Sequence, residues 1–314
     1  TLTEIESGAN WKFLAAIVDV LAPVLAGERA AVRARARATM PTRRRADTVT
    51  VGTDAASPID GPSAMDTRQP ASLDLLLATS QPWAWGVKIG PMKMPRIVAM
   101  GGGGFSMEPD LPLLDDFLVG LTGRGRPRVC LLPTASGDAP DLIARFHGAF
   151  DGRAEASHLG LFDRTVVDLR TFVLAQDVVY VGGGNTANML AVWRVHGLDS
   201  ILVEAWRAGV VLAGLSAGAI CWFEAGVTDS FGPSLGPLRD GLGLLPGSMC
   251  PHYDGEPLRR PTYQRLVGED FPGGYAADDG AALVFAGTRL EEVVTSRPEA
   301  RGWRVILGPG GVVE

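Results

Sequence analysis

Residues 94–314 are predicted to form an α/β domain, a doubly wound, mostly parallel sheet with helices on both faces. Three observations predict it. Short apolar β-type runs alternate with helical segments from Arg96 onward, the order that builds a parallel sheet through crossover helices. Four glycine- or serine-bearing turns (101–104, 133–137, 182–186 and 214–218) each follow such a run. All four therefore fall on one edge of the sheet, at the carboxyl ends of its strands, where ligands collect. Apolar residues make up 46% of the 314-residue chain, enough for a substantial core, and 40 glycines with 22 prolines supply many turns.

The elements follow in order. Arg96 to Met100 reads as a buried strand ending in Gly101 to Gly104, and Leu111 to Leu121 as a helix with Leu113, Leu114, Phe117 and Leu118 inward. Arg128 to Leu132 is the second strand, closed by Pro133 to Gly137. Asp138 to Phe150 is helical, and Glu155 to Leu161 is a third strand. Asp177 to Val181 is a strand running into Gly182 to Thr186 and a helix through Trp193. A further helix, Leu198 to Ala208, precedes the strand Val210 to Ala213. Near the end, Ala281 to Phe285, Glu291 to Thr295 and Trp303 to Leu307 read as strands pairing antiparallel.

Residues 1–93 look different and are read as an N-terminal extension. Trp11 to Ala26 has apolar residues at helical spacing, interrupted by Pro23. Seven arginines lie between Arg29 and Arg45 with no acidic residue among them, a pattern of targeting segments and anionic-surface tethers. Thr48 to Pro82, rich in Ala, Ser, Thr, Asp and Pro, lacks sustained periodicity and favours a loose linker. A poorly ordered extension with no catalytic part is the favoured reading, with Met94 as the start of the compact domain. The extension carries a formal charge of +2, which leaves −8 on the remainder.

The overall charge of −6 and pI near 5.3 argue against a nucleic-acid binder. Cys130, Cys221 and Cys250 form no C-x-x-C pair and read as reduced thiols of a cytoplasmic protein. No apolar run approaches the ~20 residues of a membrane span. The histidines and cysteines show no metal-ligand spacing, so neither metal nor cofactor is expected. A homodimer is compatible with the sequence and not dictated by it.

The stretch that carries chemistry is Gly214-Leu215-Ser216-Ala217-Gly218, a G-x-S-x-G elbow between an apolar strand and a helix-competent segment. Such a turn holds the serine hydroxyl out of the sheet. It also leaves the next backbone N–H, that of Ala217, facing an oxyanion. Serine needs a base, and histidine suits that role near neutral pH. His147 lies in a helical pattern beside Phe146 and Phe150, His158 belongs to a strand, and His196 precedes Gly197 at a helix end. His252 stands in the proline-framed turn Cys250 to Asp254, downstream of the elbow, and is the expected base. In the chain order Ser, acid, His, the acid should fall between them. Asp229, in Val227-Thr228-Asp229-Ser230, is preferred, with Glu224 close behind and Asp240 and Asp254 weaker.

Gly184 is the second expected oxyanion donor, and Asn185 could add its side-chain amide. The same loop, residues 182–187, matches G-x-G-x-x-A, with Glu204 about 20 residues on, and so also reads as a dinucleotide loop of a nucleotide-dependent oxidoreductase. That fingerprint normally opens its domain, and here it comes late. A non-catalytic binding protein on the same scaffold is the third reading. The glycine run 101–104 reads as a tight turn.

Five segments together resemble the S51 serine peptidases, which include α-aspartyl dipeptidase (peptidase E) and cyanophycinase. They are Ile97 to Gly104, Leu131 to Ala135, Val181 to Thr186, Gly214 to Ala219 and Pro251 to Tyr253. The resemblance covers residues 95–314. It implies a fold like class I glutamine amidotransferases with serine in place of the elbow cysteine, and a small peptide as substrate. It also implies Ser216 as nucleophile, His252 as base and Gly184 in the oxyanion hole, with Asp229 or Glu224 as the acid. In the dipeptidase an arginine after the histidine reads the aspartyl carboxylate, and Arg259, Arg260 and Arg265 lie in that region; Arg260 and Arg265 are the expected substrate-binding residues.

Overall fold

The structure is a computed structural model and describes residues 94–314; the readings placed on residues 1–93 lie outside the described residues. Strands β1 (Arg96–Met100), β2 (Arg128–Leu132), β3 (Glu155–His158), β4 (Val178–Val181) and β5 (Val211–Leu215) precede the elbow. After it come β6 (Phe223–Thr228), β7 (Gly236–Leu238), β8 (Leu245–Cys250), β9 (Gly274–Ala277), β10 (Ala281–Ala286), β11 (Arg289–Thr295), β12 (Gly302–Gly308) and β13 (Gly311–Val313). One seven-stranded sheet runs β11-β10-β1-β5-β4-β2-β3. Its five pre-elbow strands are mutually parallel, and β10 and β11 are added antiparallel at one side.

A second sheet, β13-β12-β9-β8-β6-β7, was not expected as a unit. Its strands β7 and β8 are broken by glycine and proline, so they show no period-2 alternation. The run expected over Trp303 to Leu307 does pair antiparallel, but with β9 and β13 of this sheet and not with β10 or β11.

Burial in the first sheet follows the pleat. Val98, Met100, Val129, Leu131, Val178, Tyr180, Val211 and Ala213 face one core, closed by α1 (Gly104–Met107), α2 (Leu113–Leu121) and α3 (Pro140–Phe150). Their neighbours Ile97, Ala99, Cys130, Leu132, Val179, Val181 and Leu212 face the other, under α4 (Leu169–Leu174), α5 (Thr186–His196) and α6 (Leu198–Arg207). Because both faces are covered, these strands read as continuous apolar runs. The elbow helix α7 (Ala217–Ile220) is a single turn, and α8 (Arg259–Gly268) covers the second sheet. No helix among the described residues is long and apolar enough to cross a membrane.

Two glycines set how tightly the elbow packs. A Cβ on Gly214 would overlap the Gly218 carbonyl, and one on Gly218 would overlap the Val181 carbonyl of β4. Both collisions are with backbone, which cannot rotate away. Gly218→Ala is therefore expected to cost at least about 2 kcal/mol of stability by overpacking, read as a lowered urea midpoint.

On the α2 face Asp115 is only 1% exposed, with Oδ1 lacking a hydrogen-bond partner, beneath Gly104 and beside the Tyr180 hydroxyl. Burial pushes its carboxyl up to about 7, against a smaller opposing pull from the Phe105 N–H. The folded chain thus holds this proton more tightly than the unfolded chain. The resulting stabilisation is full below about 4 and is lost as pH rises through about 7. The loss is expected to reach roughly 4 kcal/mol. Asp115→Asn removes the titration, so the stability difference between wild type and variant should change across that window in denaturant titrations.

Candidate active site

The exit of β1 organises the site. Three successive carbonyl oxygens there each accept a backbone N–H from a different segment. Met100 O takes the N–H of Ser216 at 3.2 Å, Gly101 O that of His252 at 3.3 Å, and Gly102 O that of Gly280 at 3.1 Å. Segments far apart in the chain are thereby anchored on neighbouring peptide units. The strand-end turns 101–104, 182–186 and 214–218 meet at this edge, while the concavity lined by Arg96, Arg128, Asp177 and Val211 opens at the opposite, amino-terminal ends of the strands.

Ser216 has φ 54° and ψ −115°, and His252 also has φ 54°. Only four non-glycine residues described have positive φ, so the expected nucleophile and base are half of them. Side chains avoid this region at a cost of order 1–3 kcal/mol, and such strain persists where surrounding contacts over-determine it. At Ser216 it turns the hydroxyl out of the β5–α7 corner. Gly183 lies against it: a Cβ there would sit 3.7 Å from Ser216 Oγ.

The His252 imidazole is nearly buried, and its Nδ1 lies 2.6 Å from Oδ1 of Asp279. A carboxylate only accepts, so Nδ1 carries the proton and Nε2 is left as the basic nitrogen. Neither Asp229 nor Glu224 occupies this place. Glu224 lies on β6 instead of at the end of an elbow helix, because α7 stops at Ile220; its Oε2 accepts the Gly247 N–H at 2.8 Å. Asp229 is exposed in the loop after β6. Asp240 pairs with Arg194, and Asp254 bonds to the Asp279 backbone. Asp279 follows the histidine in the chain, whereas the expected acid lies between the serine and the histidine.

A signal for Asp279 was present in the glycine run. A Cβ on Gly102 would overlap Asp279 Oδ1, one on Gly255 would overlap Oδ2, and one on Gly101 would overlap the carbonyls of Ala277 and Asp278. The run 101–104 does more than turn: glycine lets the β1 exit pass against the Asp279 segment. The preceding Asp278 is buried and tied to the Trp303 indole and the Arg301 N–H, both at 2.9 Å.

Gly184 has φ 135°, and a Cβ there would overlap the Ala135 carbonyl, so the 182–186 loop is seated on the 133–137 turn. The following Asn185 N–H donates to Ala135 O at 2.8 Å. Among the described residues, no backbone carbonyl outside the helices and strands accepts the N–H of Gly184 or Ala217. The Asn185 side chain is engaged differently from its expected substrate role. Its Oδ1 caps α5 by accepting the Asn188 N–H at 2.8 Å, and its Nδ2 donates to Ser230 O at 3.1 Å.

The arginines expected to bind substrate are also held elsewhere. Arg260 pairs with Glu314 and stacks over Trp303, 4.5 Å from the ring centroid, while Arg265 pairs with Glu269 at 2.6 Å. Arg259 is buried, bonded to Glu256 and to Val227 O. The remaining histidines have other partners. His147 Nε2 and His158 Nδ1 lie 2.9 Å apart, and His196 lies beside Arg164. Glu204, the ribose acid of the dinucleotide reading, is bound at the surface by Arg170, with one bond of 2.8 Å.

Over residues 97–293 the chain matches the model of Peptidase family S51. The chain belongs to that family. It is 54% identical over 223 residues to the uncharacterized peptidase YgaJ of Bacillus subtilis (strain 168), an alignment spanning 70% of this chain and 96% of the relative. The uncharacterized peptidase Lmo0363 of Listeria monocytogenes is 28% identical over 209 residues, 61% of this chain and 95% of that one. Peptidase E of Citrobacter koseri is 36% identical over 90 residues, 28% of this chain and 39% of that one. The S51 resemblance read from the five segments thus holds for the chain as a peptidase-family member.

Proposed function

We propose that this chain is a serine-type peptidase that hydrolyses small peptides, with Ser216 as nucleophile, His252 as general base and acid, and Asp279 as the carboxylate that orients the imidazole. The observation that carries this reading is the run of three β1-exit carbonyls, which brings the serine, the histidine and the Asp279–Gly280 turn onto consecutive peptide units. Ser216 Oγ attacks the scissile carbonyl while His252 Nε2 takes its proton. The carbonyl oxygen, now anionic, is held by the N–H groups of Gly184 and Ala217. Collapse of the tetrahedral intermediate breaks the C–N bond, and the imidazolium returns its proton to the departing amine. Water, deprotonated by the same Nε2, then attacks the ester carbon, and its collapse frees the acid and restores the serine hydroxyl. Asp279 accepts the hydrogen bond from Nδ1–H throughout and keeps the productive tautomer.

The test is a panel of dipeptides with Asp, Glu, Asn or Gly at the N-terminus, assayed by amine release with Ser216→Ala as the control. Turnover of at least one member that vanishes in the variant supports the reading. Turnover retained in the variant overturns it. N-terminal Asp is included because of the family's dipeptidase members; Arg260 and Arg265, held by Glu314 and Glu269, give it no added support here.

A further inference from the structure

Asp279 is held by its backbone as well as by its side chain, and the groups that hold it are charged. Its N–H donates to Asp254 Oδ1 at 2.8 Å. Its carbonyl accepts from Arg297 Nε at 2.9 Å and also from Nη2. Arg297 Nη2 in turn reaches Asp254 Oδ2 at 2.9 Å. A closed ring results: one carboxylate, one guanidinium and both backbone polar groups of Asp279. Asp254 sits two residues after His252, so the ring joins the turn carrying the imidazole to the turn carrying its partner. On the far side Ser296 N–H donates to Gly280 O at 2.8 Å, next to Arg297, and fixes the same turn from β11's end.

We propose that Asp254 and Arg297 are a positioning pair for the His252–Asp279 couple: they set the register of the Asp279 carboxylate against Nδ1 without touching the substrate. The proposal rests on the serine-peptidase reading above. Three further facts support it. His252 occupies a strained φ of 54°, which needs surroundings that over-determine it. Arg297 uses two nitrogens of its planar fork on the Asp279 carbonyl and one of them also on Asp254, a geometry that a lysine ammonium does not reproduce. Burial works against the Asp254 charge, but the bonds from Arg297 and from the Asp279 N–H outweigh it and hold its carboxyl below the ordinary value, so it stays an acceptor.

The experiment uses the full chain with Asp254→Ala, Asp254→Asn, Arg297→Met, Arg297→Lys and Asp279→Ala. Three readouts are taken: kcat and KM on the best dipeptide of the panel, labelling rate with a fluorophosphonate–rhodamine probe, and the downfield proton resonance of the His252 Nδ1–H. A carboxylate displaced by about an ångström costs on the order of 10²-fold, so Asp254→Ala and Arg297→Met should lower kcat by roughly 10- to 100-fold with KM within about twofold. Their downfield resonance should broaden or move. Asp254→Asn keeps an acceptor for the Asp279 N–H and should recover part of the loss, whereas Arg297→Lys should not. Asp254→Asn also serves if the alanine variant does not fold.

Variants with kcat and resonance unchanged overturn the pairing. So does a loss of activity that tracks melting temperature alone while the resonance stays in place. Asp279→Ala separates the two levels: inactive beside active Asp254 and Arg297 variants, it refutes the positioning pair only; fully active, it removes the couple and the proposal with it.

Discussion

Ser216→Ala should reduce peptide turnover by at least about 10⁴-fold while leaving the fold intact, since removing a triad nucleophile leaves only binding and oxyanion stabilisation to act on water. The substitution keeps the Cβ at φ 54° and deletes only the hydroxyl oxygen of a half-buried residue. Melting temperature should therefore move little. Amine release measured with a sensitive fluorogenic reagent, over a range of enzyme concentrations, checks the prediction. Residual activity within tenfold of wild type would move the chemistry to another group.

Asp279→Asn should be nearly as damaging, by roughly 10⁴-fold in kcat. An asparagine can present its amide N–H to Nδ1, which puts the imidazole proton on Nε2, and a protonated Nε2 cannot take the serine's proton. The contrast with the other acids is sharp. Glu224→Gln alters a carboxylate that holds the Gly247 N–H on the second sheet, and Asp229→Ala alters an exposed loop residue. Both are expected to keep kcat within a few-fold of wild type. Steady-state kinetics on the three variants decides which carboxylate serves the histidine.

The difference between Asp279 and Asp229 shows what was legible in the sequence. The parallel sheet could be read because its strands are buried on both faces and stand out as continuous apolar runs between helices. Ser216 and His252 could be singled out because a serine between two glycines after a strand, and a histidine framed by a proline turn, are locally distinctive. Asp279 could not be found in this way. Asp278-Asp279-Gly280 reads as an ordinary turn, and the chain-order rule placed the acid before the histidine. The information lay in the glycines at 101, 102 and 255, whose lack of side chains only gains meaning once the aspartate is seen to fill the space.

The second sheet was hidden for a related reason. Gly236-Pro237-Leu238 and Leu245-Pro246-Gly247 lack both alternation and β-branched content, and tertiary pairing with β6 makes them strands. Arg260 and Arg265 are the reverse case. Their place in the sequence matched a specificity element, but Glu314, Trp303 and Glu269 lie close enough in space to claim them.

The most direct measurement is peptide mapping by mass spectrometry after incubation of the chain with a fluorophosphonate probe. The expected result is a single covalent adduct on Ser216 in the wild type, formed far more slowly in Asp279→Asn and absent in Ser216→Ala. An adduct on another residue, or labelling of Ser216 at an equal rate with and without Asp279, would contradict the account.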